Sequence, residues 1–122
     1  SVRISAMPAF LERTQALIGE AYPQFEVVWF GHIGDGNLHI NVLKPDDCEA
    51  AAFVVQCEQV TKLLAGVLQE FDGSISAEHG IGLVKKPYLS STRGAAEIAL
   101  MKAVKHAFDP HGRLNPGKLF DV

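Results

Sequence analysis

Residues 26–43 read EVVWFGHIGDGNLHINVL, and this stretch decides the fold because it predicts a β-hairpin. The β-branched and aromatic residues at positions 26–31 are typical of a strand. Asp35-Gly36 is a strong hairpin-turn signal, because both residue types accept the backbone angles of a tight turn. Apolar and polar side chains alternate along residues 38–43, so one face of the second strand can pack while the other carries chemistry.

The segments on either side of the hairpin predict two long helices and two short strands. The first helix has Pro8 in its first turn and runs to about position 21. The second is capped by Asp46, with Glu49 completing a capping box, and ends at the glycine at position 73. Residues 2–5 and 74–77 are the two strand candidates.

A last helix begins at Ser91 or Thr92 and stops at Asp109-Pro110. Its inward-facing side chains are Ile98, Met101, Val104 and Phe108. The predicted order is therefore β-α-β-β-α-β followed by a C-terminal helical tail. That order predicts an α+β fold of the ferredoxin-like, split βαβ type, a sandwich of an antiparallel sheet with helices on one face.

Composition narrows the class of protein. The 122 residues are enough for one domain, covering residues 1–122. The net charge of −3 argues against nucleic acid, which needs a basic face. Gln56, Glu58 and Lys62 interrupt the longest apolar stretch, so we expect no transmembrane segment. With no visible signal peptide and two cysteines that indicate reduced thiols, we expect a cytoplasmic protein, peripheral attachment to the inner membrane staying open.

The predicted hairpin brings two histidines together. Centring the turn on Asp35-Gly36 places His32 directly opposite His39, where cross-strand Cβ atoms are about 4.5–5.5 Å apart. Two imidazoles at that spacing can close on one metal ion, at about 2.0–2.1 Å per nitrogen. Asn41, two residues beyond His39, faces the same way. The alternative is a hairpin whose histidines merely face solvent.

Glu78 and His79 form a second chemical cluster. With His32 and His39, Glu78 would complete the set of two histidines and one carboxylate that holds a divalent metal. As sequence neighbours, Glu78 and His79 should diverge by about 100–180°, so we assign Glu78 as a ligand and leave His79 for proton transfer. The alternative is structural, a capping or salt-bridged glutamate beside a hydrogen-bonded histidine.

Three motifs, in this order, resemble one protein family. They are GHIGDGNLH at residues 31–39, SISAEHGIG at residues 74–82 and DPHGRLNPGK at residues 109–118. Together they resemble the C-terminal domain of the FAD-linked oxidases, the group of D-lactate dehydrogenase, the glycolate oxidase FAD subunit and D-2-hydroxyglutarate dehydrogenase. The likeness covers essentially the whole chain, and the SAEHG form looks closest to the D-2-hydroxyglutarate dehydrogenase branch.

The resemblance implies roles for individual residues. The residues that match the ligands of a divalent metal (Zn, Mn or Fe) are His32, His39 and Glu78. His79 matches the catalytic base and Asn41 matches a substrate-contacting amide. Asn115 and Lys118 match positions near the flavin.

The resemblance also implies an activity and partners. Enzymes of this kind oxidise a D-2-hydroxy acid to a 2-oxo acid and bind most of the FAD with an N-terminal domain. The sequence shows no Gly-x-Gly-x-x-Gly or other nucleotide cradle, so we expect a fragment of a longer flavoprotein, inactive by itself. Its partners would be that FAD domain, a small 2-hydroxy acid and an unidentified electron acceptor. Two alternatives are a stand-alone ferredoxin-like module that binds metal or ligand without redox chemistry, and a metal hydrolase.

Overall fold

The structure is a computed structural model that describes residues 1–121. The chain forms two compact units, one from Ser1 to Gly73 and a second from Ser74 onward. The regular elements of the described residues are helices and a two-stranded antiparallel sheet, so the predicted α+β class is confirmed.

The first unit consists of two long helices and the predicted hairpin. Its elements are α1 (Met7–Ala21), β1 (Glu26–His32), β2 (Asn37–Leu43) and α2 (Ala50–Glu70). Pro8 lies in the first turn of α1, as expected from its preset backbone angle. Helices α1 and α2 contact each other through the edge-to-face rings of Phe10 and Phe71, whose centroids are 5.7 Å apart.

Both helices cover the same face of the hairpin. Ile40 and Val42 of β2 line a cavity with Val60 of α2. Val27 and Trp29 of β1 line another with Ile18 of α1. Burial of these apolar side chains stabilises the unit. The alternation in residues 38–43 therefore predicted the packed face correctly.

Two predicted strands are wrong. Ile4–Ala6 form a 3₁₀ turn that leads directly into α1. Ser74 and Ser76 lie outside any strand, because the Ser74 hydroxyl bonds the Ser76 carbonyl at 3.0 Å and competes with sheet pairing. Within residues 1–121 the sheet therefore has two strands, and the ferredoxin-like arrangement is not confirmed.

The start of α2 also differs from the prediction. The helix begins at Ala50, with Glu49 in the N-cap position and no side-chain cap, so Asp46 does not cap it. The preceding residues form a turn instead, in which the Cys48 amide donates to the Pro45 carbonyl at 3.1 Å. Lys44 stabilises this turn by donating to the carbonyls of Pro45 and Cys48.

Helix α2 is long and apolar enough to cross a membrane, judged by length and composition alone. Its most apolar 18-residue window has a mean hydropathy of 1.3, and 22% of that window is buried. A single helix of this kind is weak evidence for a span, because core helices pass the same criterion. The absence of a transmembrane segment stays a prediction.

The second unit contains α3 (Leu89–Thr92) and α4 (Ala95–Phe108). Helix α4 begins three or four residues later than predicted, because the Gly94 amide donates to the Glu97 carboxylate at 2.8 Å and closes the first turn. The prediction that Val104 and Phe108 face inward is wrong, since they are 51% and 83% exposed. The helix ends before Asp109, as expected from the proline that follows.

Candidate active site

The face of the hairpin opposite helices α1 and α2 carries the polar residues that the sequence singled out. Side chains on this face belong to alternate positions of the two strands, namely Val28, Phe30, His32, Asn37, His39 and Asn41. The packed face is apolar, and both histidines and Asn41 lie on the opposite face, as predicted; the chemical role of that face stays a prediction.

The cross-strand partner of His32 differs from the prediction. His32 pairs with Asn37, and His39 pairs with Phe30. The reason is the connection: a 3₁₀ turn of Ile33–Asp35 followed by Gly36 replaces the expected two-residue turn. Because this moves the pairing by two positions, both imidazoles keep the same face but become diagonal neighbours, with Cα atoms typically about 7–8 Å apart.

The His39 ring contacts a phenylalanine and an asparagine of the same hairpin. The Phe30 ring stacks on it, with centroids 4.8 Å apart and planes within 4°. The Asn37 amide nitrogen lies 3.4 Å from Nε2 of His39. Asn37 itself is only 6% exposed, so its amide is held in place by the surrounding structure.

His32 and Asn41 are the more open members of this face. The Nδ1 atom of His32 lies 3.8 Å from the carboxylate of Asp35, and both side chains are mostly exposed. An exposed pair of this kind contributes little to stability. Asn41 pairs with Val28 across the hairpin and is exposed, which leaves its amide accessible to a small ligand.

In the second unit, Glu78 and His79 face each other. Nε2 of His79 lies 3.9 Å from Oε1 of Glu78, so the expectation that neighbouring side chains diverge is wrong here. That expectation assumed regular strand or helix geometry, whereas this segment is an irregular loop. The Ser76 hydroxyl closes the loop by donating to the Gly80 carbonyl at 2.8 Å, and Lys85 donates to the same hydroxyl.

The third motif forms a cavity of about 570 Å³ in the second unit. Asn115 and Lys118 contribute its polar lining, and Leu100, Val104 and Leu119 contribute part of its apolar wall. Asn115 adopts a left-handed backbone angle, with φ at 46°, which asparagine tolerates better than most residues.

Asp109 organises the backbone that leads to this cavity. It is buried, and its carboxylate accepts hydrogen bonds from Lys105 and from the amides of Arg113 and Leu114, the two amide bonds measuring 2.9 and 2.8 Å. These bonds, with the Lys105 bond the largest cause, lower the pKa of Asp109 to about 2. The carboxylate therefore stays ionised and keeps this turn folded at neutral pH.

The structure adds residues that sequence reasoning missed. Asn37 and Phe30 contact His39, Ser76 closes the loop that carries Glu78, and Asp109 holds the turn before Asn115. A correct hairpin register would have identified Asn37 and Phe30, because register alone decides cross-strand partners. The roles of His32, His39, Asn41, Glu78, His79, Asn115 and Lys118 themselves stay predictions.

An α+β domain with these three motifs defines the class: the C-terminal domains of FAD-linked oxidases. The model of the family described as "FAD linked oxidases, C-terminal domain" matches residues 1–119, and the chain belongs to this family. The predicted family resemblance is thereby confirmed.

Individual relatives carry more specific names. The chain is 75% identical over 122 residues to D-2-hydroxyglutarate dehydrogenase of Xanthomonas citri pv. viticola, covering 100% of this chain and 26% of the relative. It is 54% identical over 120 residues to the protein of the same name from Stutzerimonas stutzeri, covering 98% and 26%. It is 43% identical over 110 residues to D-lactate dehydrogenase of Anaerostipes hadrus, covering 90% and 22%. The chain spans about a quarter of the length of these relatives.

Proposed function

We propose that this chain is the substrate-binding part of an FAD-dependent D-2-hydroxy acid dehydrogenase, and that the substrate is D-2-hydroxyglutarate. The observation that carries the proposal is the 75% identity, over the whole chain, to a protein named D-2-hydroxyglutarate dehydrogenase. The lower identity of 43% to a D-lactate dehydrogenase favours the longer dicarboxylic substrate over lactate.

His32, His39 and Glu78 are assigned to a divalent metal. The donor chemistry fits, since two imidazoles and one carboxylate suit Zn, Mn and Fe(II). Within the first unit, His32 and His39 lie on the same face of the hairpin. When bound, the metal supplies Lewis-acid polarisation of the substrate hydroxyl.

His79 is assigned as the base that takes the hydroxyl proton onto an imidazole nitrogen. The Glu78 carboxylate lies 3.9 Å from Nε2 of this ring. When bound, FAD would accept the hydride from C2 of the substrate. Asn41 orients the substrate through its exposed amide, which can donate to a carboxylate.

The second unit offers a surface suited to an FAD-binding domain of the same protein. Leu100, Val104 and Phe108 recur at every fourth position of α4 and are at least half exposed. An apolar stripe of this kind marks an interaction surface. Leu100 and Val104 of this stripe also line the cavity, where the apolar wall with the Asn115 amide and the Lys118 ammonium fits the edge of a ring system that carries carbonyl groups.

The cytoplasm is the proposed compartment, supported by the two cysteines, Cys48 and Cys57, which form no disulfide.

Electrons from the substrate would pass to an acceptor that this chain does not identify. We do not propose nucleic acid as a partner, because the net charge is −3.

The experiment compares substrates and variants in the protein expressed with its complete reading frame. Dye-coupled oxidation should be at least tenfold more efficient, in kcat/KM, with D-2-hydroxyglutarate than with D-lactate or L-2-hydroxyglutarate. His79→Ala should slow flavin reduction by about a hundredfold or more, as loss of a general base does. His106→Ala is the matched control, because His106 is exposed on α4. Equal efficiency with D-lactate, or unimpaired flavin reduction in His79→Ala, would contradict the proposal.

A further inference from the structure

We propose that Asn37 is a positioning residue for His39: its amide donates a hydrogen bond to Nε2 and keeps the ring proton on Nδ1. The inference concerns the tautomer and orientation of one imidazole. Its consequence for metal binding rests on the function proposed above, whereas the tautomer can be measured independently of any metal.

The first observation is the contact and the burial of the group that makes it. Nδ2 of Asn37 lies 3.4 Å from Nε2 of His39, within hydrogen-bond reach. Asn37 is 6% exposed, whereas Asn41, on the same strand and face, is exposed. A buried amide is held by its neighbours, so Asn37 presents a fixed donor to the ring.

The second observation is that the backbone holds Asn37 at this place. Asn37 is the first residue of β2 and pairs directly with His32. The neighbouring Gly31 lets the strands approach, because the Asn37 carbonyl occupies the space that a Cβ atom on Gly31 would need. Asn37 therefore occupies the position opposite His32 where the sequence predicted His39.

The third observation is the stack with Phe30, which fixes the plane of the His39 ring. The two planes differ by only 4°, with the centroids 4.8 Å apart. A stacked ring resists rotation about its side-chain bonds. The stack fixes the plane of the His39 ring, and the Asn37 amide contacts one of its two nitrogens. Together they select one orientation of the imidazole.

The chemical consequence follows from the two forms of a neutral imidazole. One ring nitrogen carries the proton, and the other carries a lone pair that accepts a hydrogen bond or binds a metal. An N–H donor facing Nε2 favours the form with the lone pair on Nε2. The Asn37 amide then engages the lone pair on Nε2 while Nδ1 carries the proton, so a metal ion that binds His39 through Nε2 has to displace the amide.

Nuclear magnetic resonance of the ¹⁵N-labelled 122-residue chain tests the tautomer directly. Long-range ¹⁵N–¹H spectra should show His39 with its proton on Nδ1 in the native protein. Asn37→Leu, of similar volume but without the donor, should move the proton largely to Nε2. Phe30→Leu keeps the donor and should leave the tautomer unchanged. A native ring protonated on Nε2, or no shift in Asn37→Leu, overturns the proposal.

A calorimetric titration with Zn²⁺ gives the second measurement. Asn37→Leu should tighten Zn²⁺ binding by about two- to tenfold, because the amide no longer competes with the metal ion for the lone pair on Nε2 and one hydrogen bond is worth about that factor. Val28→Ala is the control, because Val28 lies on the same face opposite Asn41 and should leave the affinity unchanged. Unchanged affinity in Asn37→Leu overturns the consequence for ligation. Absence of Zn²⁺ binding in the native chain would count against the metal assignment, and the tautomer spectrum would still decide the role of Asn37.

Circular dichroism melting separates positioning from a general loss of structure. Each variant should keep the native helical spectrum at the temperature of the titration. If Asn37→Leu does not fold, Asn37→Asp replaces it, because the carboxylate retains the shape of the amide but has no N–H donor. The expected tautomer change is the same for either substitution.

Discussion

The backbone amide of Val2 donates a hydrogen bond of 2.9 Å to the carbonyl oxygen of Gly36. The carbonyl oxygen of Val2, in turn, occupies the space that a Cβ atom on Gly36 would need. Gly36 has φ at 64°, in the left-handed region, and Val2 is 7% exposed. The N-terminal segment therefore holds the connection between β1 and β2, and with it the register of His32 and Asn37.

Gly36→Ala should destabilise the first unit by at least about 2 kcal/mol. A left-handed angle costs an alanine about 1–2 kcal/mol, and the new methyl group would also displace Val2. Urea unfolding followed by Trp29 fluorescence measures the effect. Gly34→Ala is the control, because a Cβ atom there meets nothing within 4 Å. We expect its effect to stay below about 0.5 kcal/mol. Equal stability of the two variants would refute this account of the turn.

His32→Ala and His39→Ala should each lower the metal content of the purified protein. Loss of one of three protein ligands leaves too few donors for tight binding of a divalent ion. Inductively coupled plasma mass spectrometry after dialysis provides the count of metal ions per chain. His111→Ala is the control, since His111 lies in an exposed turn. Occupancy equal to that of the native protein in both variants would exclude shared ligation.

Asp109→Asn should loosen the turn at Arg113 and Leu114 and alter its acid sensitivity. The pKa of Asp109 is lowered to about 2, so the ionised form stabilises the fold above its ordinary pKa near 4. That stabilisation is lost as the pH falls from about 4 towards 2. The protection of the two amides, measured as the exchange rate relative to an unstructured peptide at the same pH, should fall over this range in the native chain and should already be low at pH 6 in Asp109→Asn.

The control for Asp109 is Asp47→Asn, which changes an exposed carboxylate in the turn before α2. Its amide exchange at Arg113 and Leu114 should match that of the native chain at every pH. If Asp109→Asn also matched the native chain at pH 6, the carboxylate would have no part in holding this turn.

Ser76→Ala should impair catalysis in the full-length enzyme more than it impairs stability. The hydroxyl closes the loop that carries Glu78 and His79, and its loss removes a bond worth about 0.5–1.5 kcal/mol. We expect kcat to fall by about three- to tenfold, consistent with that energy, with a melting temperature within a few degrees. Ser90→Ala, at an exposed position of α3, should leave kcat unchanged. An equal kcat in both variants would show that this loop does not depend on Ser76.

Much of the first unit was predictable because its signals are local. Helix α1, both strands and the packed face of β2 follow from proline placement, β-branched runs and alternation over a few residues. The boundaries of α2 and α4 were harder, because the lysine at position 44 and the carboxylate of Glu97 select where each first turn closes. Those choices depend on competing hydrogen bonds of similar energy, which the residue pattern alone does not rank.

The strands at residues 2–5 and 74–77 failed for a different reason. Short segments become strands only when a partner edge is available, and Val2 instead bonds the turn at Gly36 while Ser74 bonds Ser76. The exposure of Val104 and Phe108 was also missed, because helical periodicity identifies an apolar face but does not say what covers it.

The sequence by itself determined the family, the hairpin and the chemical identity of the candidate ligands, because motifs and periodicity are properties of residue order. Only the tertiary structure decided that Asn37 rather than His39 pairs with His32, and that Glu78 and His79 face each other. The physical reason is that pairing register and side-chain direction depend on the length and geometry of the connecting turns. Those are set by contacts such as Val2 with Gly36, between residues far apart in the chain.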